Sequence, residues 1–277
     1  MLDEKEIALA MAPEARRRFD VHVVQVTGST NADLVAQASG LLRGHVLATE
    51  TQTAGRGRRG RVWHSRPGDS LTFSLLWKFG ADTRLSGLSL AVGLGVARGL
   101  DHSGIGQAKL KWPNDLLAPT GQGWAKLGGV LVEVVAGPGA AASVVMGIGL
   151  NIRPLTGIPA IEQATSSLAT MGWDGSRNTV LAALLEELLA VLDAFESGGF
   201  APFAAAWNAR HAFRDQQVTV SAGDGSTATG IARGVHSDGA LALDTESGPL
   251  RIVSGDVSLR AVAHPVSDHD LPFRGSR

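Results

Sequence analysis

The chain has 277 residues, a formal net charge of -1, 44% hydrophobic residues and no cysteine. That composition suits one large domain plus a small one with a real core, and it excludes disulfides, thiolate metal sites and cysteine nucleophiles. The charged start is not a secretory signal, and the apolar run at residues 85–100, broken by glycines, serines and Arg98, falls short of a span of about 20 apolar residues. A cytoplasmic protein without a membrane anchor is the expectation.

Before residue 21 the pattern supports one short helical segment. Residues 21–27 alternate as a strand. Ser29-Thr30-Asn31 then opens a helix running to about residue 42, with Asp33 in its first turn. Residues 46–51 and 70–79 read as strands. Leu85, Leu88, Val92, Val96 and Leu100 repeat at helical spacing and predict a helix over 84–101. Strands follow at 108–112, 127–135 and 143–152. Residues 178–196 form an amphipathic helix, with Leu181, Leu184, Leu185, Leu188 and Leu192 inward and Gly198-Gly199 closing it. An Ala-rich helix is predicted at 200–211. From about Asp215 the composition shifts to short strands at 218–220, 228–234, 240–244, 250–253 and 258–261, the pattern of a small all-β barrel or sandwich. Residues 264–277 read as a frayed tail.

The segment Gly55-Arg56-Gly57-Arg58-Arg59-Gly60-Arg61 places four arginines within seven residues. Guanidiniums repel and glycine loses the most entropy on ordering, so such a loop is disordered by default and orders around an anion. It is a candidate lid over a phosphate-bearing ligand. Its G-x-G-x-x-G spacing imitates a dinucleotide fingerprint, which needs a helix next; Pro67-Gly68 is turn punctuation instead. An arginine-glycine nucleic-acid segment calls for a broadly basic chain, whereas Lys+Arg 25 stand against Asp+Glu 26. A solvated surface loop is the remaining reading.

Four further motifs each have a plain structural reading beside a functional one. Ser29-Thr30-Asn31 is a helix N-cap or a polar pocket end for an uncharged carbonyl-like group. Lys111-Trp112-Pro113-Asn114-Asp115 ends a strand and turns. Lys126-Leu127-Gly128-Gly129 sets a lysine before a strand whose glycines admit a ligand to the backbone. Gly147-Ile148-Gly149-Leu150-Asn151 repeats that device. No His or carboxylate cluster has the sequence spacing of a protein-held metal site.

Taken in order, with Gln52-Thr53-Ala54 before the arginine loop and Trp63 after it, these motifs resemble the biotin–protein ligases over about residues 23–260. The resemblance implies an α+β fold, with a class II synthetase-like mixed-sheet catalytic domain and a C-terminal SH3-like β-barrel. The division becomes an N-terminal segment 1–20, a catalytic domain 21–214, a small domain 215–262 and a flexible tail 263–277.

It also implies a two-step reaction. Biotin and ATP give biotinyl-5′-AMP, and a lysine of a biotin carboxyl carrier domain then displaces AMP. In that scheme Lys126 holds the carboxylate against the α-phosphate, because like charges must be neutralised to meet. Arg56, Arg58, Arg59 and Arg61 close over the intermediate. Ser29, Thr30, Asn31 and Gln52 bind biotin, and Trp63 serves the adenine side. Asn114, Asn151 and Arg260 face the nucleotide; for Arg260 a barrel-surface charge is an equal reading. Lys111, Gly55, Gly57 and Gly128 complete the binding set. Asp115 orients the loop or accepts a proton. Mg²⁺ is expected on the triphosphate, and a homodimer through the central sheet is common in the family.

Only 28 residues precede Ser29, too few for a helix-turn-helix domain, so neither repressor function nor sequence-specific DNA binding is expected. Two rivals stay open: a lipoate–protein ligase, whose dithiolane would want an apolar slot, and a nucleic-acid module, whose binding would fall steeply with salt.

Overall fold

The computed structural model describes residues 1–135, 142–155, 164–221 and 225–253, and the backbone of 258–261. Two short helices, α1 (Glu4–Ala10) and α2 (Pro13–Arg18), come first; the sequence pattern suggests only one. Asp3 caps α1 by accepting from Lys5 and Glu6, and Pro13 opens α2, so each helix has its own start signal. The elements β1 (Asp20–Thr27), α3 (Thr30–Gln37), β2 (His45–Gln52), β3 (Ser70–Lys78) and α4 (Leu88–His102) follow. Helix α3 stops short of residue 42, and α4 starts after Gly87, whose φ of 77° is left-handed backbone.

Next come β4 (Lys109–Lys111), β5 (Asp115–Thr120), β6 (Gly123–Val135) and β7 (Ser143–Asn151). Strand β5 is absent from the sequence reading. Asp115 starts this strand rather than belonging to a plain turn, and Lys126 sits inside β6 rather than before it. The reason is a hairpin: Pro119 and the glycines near residue 121 resemble a long loop by composition, but β5 pairs with β6 across a tight turn. Helix α5 (Arg177–Gly198) and α6 (Ala204–Ala209) complete the larger part, the predicted 200–211 helix being split by a 3-10 turn at Ala201–Phe203.

Strands β1 to β7 make one sheet in the order β1-β2-β3-β7-β6-β5-β4. β1 and β2 run parallel, and every other neighbouring pair is antiparallel. Side chains alternate between faces. On one face Phe73, Leu75, Trp77, Val144, Met146 and Ile148 are buried in the cluster that also holds the Leu181, Leu184, Leu185, Leu188 and Leu192 stripe of α5. On the other, Leu76 and Val145 pack under Leu34 and Ala38 of α3. That second face is only part covered. Beyond α3 its alternate positions turn small or polar: Thr72 and Ser74 on β3, then Gly147, Gly149 and Asn151 on β7.

The last strands, β8 (Gln217–Ser221), β9 (Thr227–Val235), β10 (Leu241–Thr245), β11 (Gly248–Ile252) and β12 (Ser258–Ala261), form an antiparallel sheet ordered β11-β10-β9-β8-β12. This is the small β unit expected after residue 215. It is tied to the larger part through Trp112, whose indole N–H donates to Gly239 O at 3.0 Å, and Asn208, whose amide brackets Val235. The tail from residue 263 and the side chain of Arg260 lie outside the described residues.

Candidate active site

The uncovered part of the sheet, the α3 N-terminus and the arginine loop enclose a cleft of about 760 Å³. Ser29, Thr30, Asn31, Gln52, Gly57, Arg58, Arg59, Arg61, Trp63, Lys111, Asn114, Asp115, Lys126 and Asn151 all line it. Gly55, Arg56 and Gly128 are not among the lining residues. Gly55 and Gly128 are packing positions, where an added Cβ would run into the carbonyls of Trp63 and Gly149.

At one end, Ser29 caps α3 and its Oγ accepts from Ala32 N at 3.5 Å. The helix-cap reading therefore holds for Ser29. Thr30 and Asn31 do something else. The Thr30 backbone N–H donates to Gln52 Oε1 at 2.8 Å, and Thr30 Oγ1 lies 2.7 Å from Ser74 Oγ. Ser74 in turn donates to Asn31 Oδ1 at 2.5 Å, and Asn31 Nδ2 donates to Glu133 Oε2 at 2.7 Å. Sequence reasoning missed Ser74 and Glu133. Their signal was the alternation: one hydroxyl opposite an apolar strand face, and one carboxylate inside the apolar run of β6.

The glycines of β7 make room for this end and the next. A Cβ at residue 147 would collide with the Asn31 amide, and one at residue 149 with the Trp63 ring. They make room for protein side chains and also line the cleft. Trp63 lies over Gly149 and donates its indole N–H to Thr72 Oγ1 at 3.3 Å.

At the other end stand the charges. Lys126 Nζ is 2.7 Å from Asp115 Oδ1, and Lys111 Nζ is 3.9 Å from Asp115 Oδ2. One carboxylate thus anchors two ammonium groups facing the cleft. Asn114 donates Nδ2 to Val130 O at 2.9 Å and receives Arg58 Nη1 at 3.5 Å on Oδ1. Asn151 spends Nδ2 on Lys126 O and Ser166 O, while its buried Oδ1 has no hydrogen-bond partner among the described residues. Asn151 itself lines the cleft, but this oxygen is covered.

The arginine loop differs from the sequence expectation of a segment without order of its own. It closes as a small hairpin: Trp63 N donates to Gly55 O at 2.9 Å and Gly57 N to Arg61 O at 2.7 Å. Arg59 and Gly60 turn the chain with φ of 58° and 70°. Backbone pairing across the loop offsets part of the ordering entropy that composition alone predicts.

Two buried titratable groups lie outside the cleft lining. Glu50, 3% exposed on β2, pairs with Arg177 at 2.8 Å and accepts from Leu2 N at 2.6 Å. Burial alone would raise its pKa, but the Leu2 N–H and the Arg177 guanidinium hold the carboxyl below its ordinary value. His211 is 6% exposed beside Trp207, and neither ring nitrogen has a hydrogen-bond partner among the described residues. Burial, helped by the nearby Arg214 charge, pushes it down to about 4.

Strand pairing also brings together Asp20, His22 and His45 at the start of β1 and β2, a cluster that sequence spacing did not reveal. His22 Nε2 and His45 Nδ1 lie 2.9 and 3.2 Å from Asp20 Oδ2. The ring planes are 24° apart with centroids 4.5 Å apart. Hydrogen bonding from the His22 ring above all holds the Asp20 carboxyl below its usual range.

The cleft thus joins a neutral hydrogen-bonding end, a lysine-carboxylate-lysine centre and an arginine hairpin. The Biotin/lipoate A/B protein ligase family matches residues 23–151, and the Biotin protein ligase C terminal domain matches 215–260. The bifunctional ligase/repressor BirA of Escherichia coli K12 is 35% identical over 250 residues, covering 87% of this chain and 74% of that protein. The biotin--[acetyl-CoA-carboxylase] ligase of Mycobacterium tuberculosis is 36% identical over 267 residues, covering 92% of this chain and 95% of that one. Among solved structures, the biotin protein ligase from Aquifex aeolicus in complex with biotin and ATP superposes with a TM-score of 0.77 at 28% identity, over 88% of this chain and 99% of that chain. This chain belongs to the biotin protein ligase family.

Proposed function

We propose that this protein joins biotin to a lysine of a biotin carboxyl carrier domain of a carboxylase, at the expense of ATP and through biotinyl-5′-AMP. The observation that carries the reading is one cleft lined together by the Ser29–Asn31 turn, Lys126 and Arg58, Arg59 and Arg61 of the hairpin. In the first step a biotin carboxylate oxygen attacks the α-phosphorus of ATP, the bond to the β-phosphate oxygen breaks, and pyrophosphate leaves. Lys126 lies where it neutralises both anions, and Asp115 holds its ammonium at 2.7 Å. The choice left open for Asp115 thereby tilts toward orientation, since its oxygens already face two ammonium groups. In the second step the carrier amine attacks the acyl carbon, the bond to AMP breaks, and an amide forms with loss of a proton.

Arg56, Arg58, Arg59 and Arg61 close over the adenylate phosphate, and Asn151 is retained as a polar contact of the nucleotide. Arg260 is retained as a nucleotide contact. Mg²⁺ does not fit a protein-held site here: Asp115 is the one carboxylate among the described lining residues, and lysines engage it. The ion travels on the phosphate oxygens of ATP. A lipoyl group would place a dithiolane against Thr30, Asn31 and Gln52, whose polar atoms it could not satisfy. The test is incubation with biotin, labelled ATP and an acceptor carrier domain. Mass analysis should show one biotinylated carrier lysine; an unmodified carrier would refute the reading. Sedimentation of the full chain checks the homodimer.

A further inference from the structure

The polar end of the cleft holds its hydrogens in one fixed sense. We propose that Glu133, outside the cleft lining, sets that sense and makes Thr30 Oγ1 an acceptor toward the ligand, so that the site demands an N–H donor at this point. The ligand chemistry rests on the ligase reading above.

The argument follows the hydrogens. Asn31 Nδ2 faces Glu133 Oε2 at 2.7 Å and Leu131 O at 3.4 Å. A carboxylate and a carbonyl only accept, so the amide must turn its NH₂ to them. Asn31 Oδ1 is then fixed toward Ser74 Oγ, 2.5 Å away, and the hydrogen between them comes from Ser74. Ser74 has one hydrogen. The 2.7 Å contact between Ser74 and Thr30 therefore takes the Thr30 hydrogen. Gln52 Oε1, 3.1 Å from Thr30 Oγ1, is a second and longer acceptor for that same hydrogen. With its hydrogen held by protein acceptors, Thr30 Oγ1 offers a ligand lone pairs only.

Thr30, Asn31 and Ser74 are 2%, 4% and 0% exposed, so water does not rescue a misoriented member. A ureido ring supplies N–H donors, whereas an ester or carbonate ring of the same shape supplies only lone pairs and is repelled. Glu133 is thus a positioning residue, acting through Asn31 and Ser74 on Thr30.

The experiment titrates the full chain calorimetrically with biotin and with an isosteric analogue whose ureido N–H groups are replaced by ring oxygens. The unaltered protein should favour biotin by at least about a hundredfold, because a buried acceptor rejects a ligand lacking the donor. Glu133→Leu frees the Asn31 amide to turn and should narrow that preference by about tenfold. Glu133→Gln keeps an acceptor oxygen and should preserve it. Glu133→Ala removes the same carboxylate with a smaller side chain and should narrow the preference as Glu133→Leu does, which secures the test if the leucine variant misfolds. A purely structural loss would weaken both ligands equally. An unchanged preference in both Glu133→Leu and Glu133→Ala overturns the relay. Failure of the unaltered protein to bind biotin overturns the ligase reading itself, and the relay with it.

Discussion

The two ends of the cleft recognise by opposite means. The Thr30–Asn31 end is neutral, buried and wired to Gln52, Ser74 and Glu133. The Lys111–Lys126 end carries formal charges, and its arginine hairpin contains exposed residues. A buried hydrogen-bond network discriminates because a wrong partner leaves an acceptor unpaired. A charged end near solvent discriminates less and stabilises more, because it acts on charge that moves during the reaction. On the proposed reading, selection of the acid and its activation fall to different ends of one sheet face.

The sharpest way to break this division is Lys126→Ala. The expected outcome is loss of adenylate synthesis by about a hundredfold or more, with biotin affinity falling far less. Pyrophosphate release and biotin titration measure the two separately. Normal pyrophosphate release would move Lys126 out of the chemistry.

A second prediction concerns the joint beneath the charged end. His211 follows α6, and the next residue, Ala212, donates its N–H to Leu110 O on β4, one residue from Lys111. Above its unfolded pKa of about 6.5 neither state of His211 binds a proton. As pH falls from there toward about 4, the unfolded chain takes up a proton and the folded one does not. Folding stability from this group should fall by about 3 kcal/mol across that window and stay level below it. Urea unfolding between pH 7.5 and 4, compared with His211→Gln, checks the difference. Identical pH slopes would show that the ring is free to ionise when folded.

Gly149→Ala sharpens the boundary between the two ends. The added methyl meets the Trp63 ring, so Trp63 must shift from its seat. The cost should be about 1–3 kcal/mol in thermal or urea unfolding. ATP affinity should fall while biotin affinity holds, because Asn31 sits over Gly147 instead. Equal losses for both ligands would mean that Trp63 serves both ends.

The smallest expected effect is on the hairpin. Arg58→Gly removes the contact with Asn114 but leaves Lys126 and Asp115 in place. Adenylate should still form, escape about tenfold faster and label bystander lysines. The adenylate dissociation rate and labelling of an unrelated protein report this. Unchanged retention with no bystander labelling would show that Arg58 does not hold the lid shut.

Most long elements were legible because they bury one periodic face. The leucine stripe of α5 and the alternation in β3 are statements about burial, and burial decides those elements. The β5–β6 hairpin was not legible, since Pro119 and two nearby glycines have the composition of a loop and only pairing across the turn makes them strand. The split of the 200–211 helix at Pro202 was written in the sequence but outweighed by its alanines. For the site, the motifs named most of the lining residues but not His64, Thr72, Phe73 or Thr165. They did not reveal Ser74 or Glu133, whose only signal is a polar residue breaking an apolar alternation, which does not say what it meets.

By itself the sequence determined the composition of the cleft: which lysines, arginines and amides are available, and that no thiol chemistry is possible. It determined the helices and strands with a long apolar period. Only the tertiary structure decided who meets whom. Sheet pairing put Gly147 under Asn31 and Gly149 under Trp63, brought residue 133 within reach of residue 31, and set Asp115 between two lysines. The physical reason is range. Local periodicity fixes which face of an element is buried, but the direction of a buried hydrogen bond depends on an acceptor about a hundred residues away.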